Sequence, residues 1–146
     1  MTDYAVVVLS QMARSGTTLY AAPDLADATG LPLPSVSKVL RLLALGRLIE
    51  SRRGAAGGYV LARPPADINV AEIIGALEGP VSLTACVDGS CKVETLCPLH
   101  GHWDVLNRAV RDALEQVSLA ELTAATPDFI AAPPVARRVA GTPPTV

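Results

Sequence analysis

Gly30 stands between two stretches of helical period only a few residues apart, so the chain must turn a tight corner between two short helices. Residues 24–29 form the first, and Gly30 suits the position just past its end because glycine enters the left-handed region without a Cβ penalty. Pro34 falls in the first turn of the second, where its missing N–H would have no helical partner anyway. Val36, Val39, Leu40 and Leu43 then line one face as far as Gly46, which ends the helix, and Ser35, Lys38 and Arg41 lie opposite. Residues 47–53 and 59–61 follow as two short strands, joined by Gly54, Ala55, Ala56, Gly57 and Gly58, a turn with almost no side chains. Helix, tight turn, helix and hairpin in that order predict a winged helix-turn-helix.

The flanking segments are as well marked. Residues 3–13 read as a helix, with Tyr4, Val8 and Met12, and Ala5, Leu9 and Ala13, at four-residue spacing, although Val6, Val7 and Val8 would also suit a strand. Pro64 and Pro65 interrupt the chain after the hairpin; Asn69 and Glu72 then form a capping box, and Gly79 with Pro80 stops the helix that the box begins. Residues 81–101 have no period. In residues 102–117, Trp103, Leu106, Val110, Leu114 and Val117 recur three and four apart, with Asp104–Arg108, Arg108–Asp112 and Arg111–Glu115 as charge pairs one turn apart. That stripe is too long for a small winged-helix domain to cover alone and predicts a partner chain. The expected fold class is mainly α with a small β-hairpin wing. It comprises a winged helix-turn-helix over residues 1–63, a connecting helix over 64–80, a cysteine-rich loop over 81–101, a long C-terminal dimerisation helix over 102–122, and a disordered tail rich in Ala, Pro and Thr over 123–146.

Composition bounds the function. With only five aromatic residues the core must be built from Leu, Val, Ile and Ala, which suits closely packed small helices. No apolar run approaches the roughly 18 residues of a membrane helix, and residues 4–9 lack the basic flank and length of a signal peptide, so the expected location is the cytoplasm. The net charge of −2 is unevenly divided: residues 1–63 carry seven Lys or Arg against four Asp or Glu, whereas residues 64–146 carry five against ten. A basic half can hold phosphate locally on an acidic chain, because charges beyond the Debye length of ~8 Å are screened. In a helix-turn-helix the second helix presents its exposed side chains to the major groove, which makes Ser35, Ser37, Lys38 and Arg41 the DNA-facing set. Taken alone, that helix face also suits plain solvation. The wing adds Arg52 and Arg53 beside the bare turn with Gly57, Gly58 and Tyr59, a shape that can approach a DNA backbone closely. No nucleophile, base and orienting group form a recognisable set, so an enzyme is not expected.

The three cysteines, Cys86, Cys91 and Cys97, lie within twelve residues in the aperiodic loop, and His100 follows the last by three. An odd number in a reducing compartment points to ligation rather than a disulfide scaffold. Thiolates are soft ligands, suited to iron–sulfur clusters or zinc. Structural zinc usually takes at least one pair of cysteines separated by two residues; here the gaps are four and five, which suits a larger cluster.

At this level of detail the chain resembles a known family. Residues 3–7 (DYAVV), 30–40 (GLPLPSVSKVL), 53–63 (RGAAGGYVLAR), 70–74 (VAEII) and 78–80 (EGP) are similar to the bacterial iron–sulfur winged-helix transcriptional repressors, the IscR/NsrR-like family. Cys97-Pro98-Leu99 and Trp103 resemble most the branch that regulates SUF-system cluster assembly. The likeness runs from residue 3 to about residue 122. It implies a homodimer with the C-terminal helix at its interface, a double-stranded promoter target, and an iron–sulfur cluster, 2Fe–2S or 4Fe–4S, held by Cys86, Cys91 and Cys97. For the fourth ligand it implies either His100 or Asp3 of the partner subunit, although Asp3 would also serve as an ordinary helix N-cap. The first two cysteines are separated by five residues in well-studied branches and by four here, so cluster type does not carry over. The resemblance also implies a start several residues earlier, with basic side chains.

The function these readings predict is a dimeric DNA-binding regulator, a repressor, that senses iron–sulfur cluster status or redox or nitrosative stress. Its rival is a winged-helix DNA-binding protein whose cysteine loop holds structural zinc or nothing, without sensing.

Overall fold

The computed structural model describes residues 1–54, 57–87, 91–92, 96–99 and 101–124. Helices α1 (Thr2–Arg14), α2 (Ala22–Thr29) and α3 (Leu33–Leu45) precede strands β1 (Ile49–Arg52) and β2 (Gly58–Leu61), followed by α4 (Val70–Glu78), α5 (His102–Glu115) and α6 (Leu119–Ala124). The strands pair antiparallel, from Ile49 opposite Leu61 to Arg52 opposite Gly58. This is the expected mainly helical winged fold.

The core follows the predicted periods. Ala5, Val8, Leu9 and Met12 of α1, Leu25 of α2, and Val36, Val39, Leu40 and Leu43 of α3 are buried together with Leu48, Ile49, Ile68, Ile73 and Leu119. Gly30 has φ 68°, the left-handed value that frees α2 to end and the chain to turn. Gly46 ends α3 for a different reason: a Cβ there would lie 2.6 Å from the Ala76 Cβ, so glycine lets α4 pack against the end of α3. The left-handed residue is its neighbour Arg47, at φ 58°, and that turn delays β1 to Ile49 instead of residue 47. The capping box of α4 forms as predicted, with Asn69 N–H donating to Glu72 Oε2 at 3.1 Å and Glu72 N–H to Asn69 Oδ1 at 2.9 Å. Gly79 then closes α4 at φ 89°.

The C-terminal segment differs from expectation. One helix over 102–122 is replaced by α5, a break, and α6. The break is stabilised on both sides. Ser118 and Glu121 form a second capping box, in which Ser118 N–H donates to Glu121 Oε2 at 2.7 Å and Glu121 N–H to Ser118 Oγ at 3.2 Å. Val70 N–H donates to Val117 O at 3.0 Å and Leu119 N–H to Ile68 O at 2.8 Å, which ties the break to the segment that starts α4. Leu119 is fully buried and α6 packs on α1, so the winged-helix core takes its last piece from outside residues 1–63. Thr123 and Ala124, expected in the tail, belong to α6. Residues 125–146, the rest of the expected tail, lie outside the described residues.

Candidate functional site

The apolar positions of α3 are consumed by the core, and this alone decides which side chains it shows. Val36, Val39, Leu40 and Leu43 face inward, leaving Ser37, Lys38 and Arg41 exposed. Ser35 is only half-exposed, at the edge of this face, and its N–H donates to Pro32 O at 2.9 Å in the first turn. On the wing, Arg52 and Arg53 are exposed. Among the described residues no carboxylate forms an ion pair with Lys38, Arg41, Arg52 or Arg53, so all four cations can meet an anionic partner.

The wing glycines have a structural explanation that sequence reading missed. Tyr20 and Tyr59 exchange two backbone hydrogen bonds, Tyr20 N–H to Tyr59 O at 2.9 Å and Tyr59 N–H to Tyr20 O at 2.8 Å, which pin β2 against the segment between α1 and α2. A Cβ on Gly58 would lie 2.8 Å from Tyr20 O, and one on Gly57 would lie 2.6 Å from Arg52 O. Both glycines are therefore needed to build the wing, whatever it touches. Tyr59 is half-buried against the core. Ala55 and Ala56 lie outside the described residues.

Of the proposed ligands, Cys86, Cys91 and Cys97 are free thiols, each partly exposed. Cys86 is held above the ordinary thiol range, chiefly by a hydrogen bond it shares with Cys91, then by partial burial and by the charges of Cys91 and Cys97. Three soft sulfur donors gathered between α4 and α5 are the donor type that a thiolate-bound metal group takes. The Thr84 hydroxyl lies beside Cys86 and favours its thiolate by hydrogen bonding, against the other effects. A hydroxyl donor beside soft sulfur ligands fits a thiolate-bound metal group in its chemistry. The sulfurs are not closed around one point: among the described residues no group of three or more His, Cys, Asp or Glu is placed to hold an ion. His100 lies outside the described residues.

Asp3 is not an N-cap. Met1 takes that position, and Asp3 sits inside the first turn of α1 with its side chain 73% exposed. Its carboxyl is held below the ordinary range, first by a hydrogen bond from the Met1 ammonium, 3.0 Å away, and then by the Tyr4 N–H.

Helix α5 flanks the cysteine loop. Trp103, Val110 and Leu114 of its predicted stripe are half-buried, whereas Leu106 and the adjacent Val105 are 47% and 72% exposed. Arg111 Nε and Glu115 Oε1 approach to 3.6 Å on its polar side. Its one buried side chain is polar: Asn107, which sequence reading did not single out. No helix among the described residues is long and apolar enough to cross a membrane.

Comparison with known proteins agrees with this geometry. The family model Rrf2, described as an iron-dependent transcriptional regulator, matches residues 1–125. The HTH-type transcriptional regulator IscR of Klebsiella pneumoniae is 30% identical over 121 residues, covering 82% of this chain and 74% of IscR. Among solved structures, CymR, the global cysteine regulator of B. subtilis, aligns with a TM-score of 0.65 at 27% identity, covering 86% of this chain and 94% of CymR. IscR of T. potens aligns with a TM-score of 0.55 at 28% identity, covering 85% of this chain and 81% of that one. The relatives are regulators, not enzymes, and with the helix-turn-helix, the wing and a family match that spans all the described residues, this chain belongs to the Rrf2 family of DNA-binding transcriptional regulators.

Proposed function

We propose that the chain acts in the cytoplasm as a homodimeric repressor that binds double-stranded promoter DNA through α3 and the wing. Its cysteine loop senses iron–sulfur cluster status, or redox or nitrosative stress. The observation that carries the sensing reading is the gathering of three free, partly exposed thiols, Cys86, Cys91 and Cys97, between α4 and α5. Cys86, Cys91 and Cys97 would hold an iron–sulfur cluster, 2Fe–2S or 4Fe–4S, which when bound supplies a centre labile to oxidants and iron loss. The fourth position falls to His100 of the same loop or to the partner's Asp3, whose exposure on α1 leaves it open to a second subunit. Ser35, Ser37, Lys38 and Arg41 on α3, and Arg52, Arg53, Gly57, Gly58 and Tyr59 on the wing, meet the DNA: the cations hold phosphates and the serines reach base edges. The exposed Val105 and Leu106 of α5 supply the dimer contact, so that two recognition helices engage two half-sites. Sensing then requires the loaded and empty loops to favour different spacings of those helices.

The test is anaerobic purification followed by iron and acid-labile sulfide analysis and visible spectra. Brown protein with iron and sulfide in comparable amounts is expected, with colour lost on changing Cys86, Cys91 or Cys97 to Ser while the far-ultraviolet helix signal persists. His100→Ala and Asp3→Ala then separate the two fourth ligands, since the true one alters the spectrum and the survival of the colour in air. Colourless protein containing zinc or no metal would overturn the sensing reading and leave a winged-helix regulator with a structural loop.

A further inference from the structure

Position 107 is anomalous on its helix. Trp103, Val110 and Leu114 make the inward side of α5 apolar, yet the most deeply buried residue on that side is Asn107, 5% exposed. A buried amide is costly unless both of its ends are satisfied. Here they are, by the backbone at the start of the cysteine loop. Asn107 Oδ1 accepts from Leu83 N–H at 3.0 Å, and Asn107 Nδ2 donates to Val81 O at 3.0 Å. The side chain thus pairs with the chain as a neighbouring strand would, fixing the position and register of residues 81–83 on α5.

The residues from Ser82 to Val87 are held in turn. Ser82 Oγ donates to Thr84 O at 3.0 Å, and Val87 N–H donates to the same carbonyl at 3.1 Å, closing the turn that carries Cys86. Val87 then lines an open recess of about 140 Å³ with Asp104, Asn107, Arg108 and Arg111 of α5. From Asn107 to Cys86, consecutive hydrogen bonds leave little slack. Leu106, adjacent to Asn107 on α5, is exposed.

We infer that Asn107 is a positioning residue: its two hydrogen bonds to Val81 and Leu83 lock the first arm of the cysteine loop to α5, so that a change in the loop moves this helix and not merely the loop. The inference rests on the sensing reading above and assigns its mechanical link. Without Asn107 the loop still holds its ligands, but its state no longer reaches the DNA-binding halves. A lone apolar side chain at 107 would bury the same helix face without fixing register, which is why the link needs an amide.

The test compares wild type with Asn107→Leu, which keeps the branched heavy-atom skeleton, though with bulkier methyl ends, and loses both bonds. Asn107→Ser, too short to span both partners, is the second variant should the leucine form misfold. Two quantities are read on the full chain. One is hydrogen exchange at the Leu83 amide in cluster-free protein, expected to speed up roughly tenfold when its acceptor is lost. The other is the ratio of promoter affinities between the anaerobically purified protein and the same protein stripped of iron by chelator. The wild-type ratio should collapse towards one in the variants, with iron content and visible absorbance per chain unchanged. A variant whose Leu83 exchange accelerates while the affinity ratio stays at the wild-type value overturns the inference and leaves sensing intact. A wild-type ratio already at one overturns the sensing reading itself, and the link falls with it.

Discussion

Leu119→Ala tests the least expected part of the fold, the return of the C-terminal segment to the winged-helix core. Leu119 has no exposed surface and belongs to the same buried cluster as Leu9, Ile68 and Ile73. Truncating a buried leucine to alanine costs roughly 2–5 kcal/mol, the lower figures where neighbours can collapse into the space. Collapse is restricted here, because Leu119 N–H is bonded to Ile68 O at 2.8 Å and Val117 O to Val70 N–H at 3.0 Å, so the backbone of α6 cannot simply slide inward. The loss should therefore be about 3–4 kcal/mol. For a domain of this size each kcal/mol moves Tm by roughly 3–5 °C, which predicts a fall of about 9–20 °C. Thermal melting by circular dichroism, with urea unfolding at fixed temperature, measures it. Val117→Ala is the control: two residues away but 36% exposed, it should change stability by no more than about 0.5 kcal/mol. If Leu119→Ala melted within a few degrees of wild type, or no lower than the control, α6 would not be part of the core and the second capping box would not be a structural joint.

Arg52→Ala with Arg53→Ala should weaken binding to all DNA sequences alike and flatten the dependence of log affinity on log salt, by ~0.9 for each phosphate no longer neutralised and up to about 3.6 in a dimer; an unchanged slope removes the wing from the interface. Leu106→Asp puts a charge on the exposed apolar side of α5 and should yield monomers in sedimentation, with promoter affinity lost because two half-sites are no longer engaged together. A variant still dimeric with normal affinity would place the subunit contact elsewhere.

Several elements were legible in the sequence because their causes are local. The capping box of Asn69 and Glu72, the Gly30 stop, the Pro34 start and the inward face of α3 each depend on residues within one or two turns. The cations of α3 and the wing could be named for the same reason: once the apolar positions are assigned inward, the others are left outside. The grouping of the cysteines is likewise a fact of spacing.

The rest depends on segments far apart in the chain. Gly46 and Gly58 look alike as turn glycines, yet one is required by Ala76 of α4 and the other by the Tyr20 carbonyl, neighbours that no local pattern announces. The apolar period of the last helical stretch continues smoothly through Val117, so it conceals the break that Ser118, Glu121 and the carbonyl of Ile68 impose. Asn107 is similar: on a helical wheel it interrupts an apolar face, and only the folded chain brings the backbone of Val81 and Leu83 to its two amide ends. Local periodicity and capping determined which segments are helix or strand and which faces are apolar, because those free energies are settled within a few residues. Tertiary structure decided where α6 returns, which glycines are obligatory and what holds the cysteine loop, because each depends on a close approach that exists only after distant segments have packed.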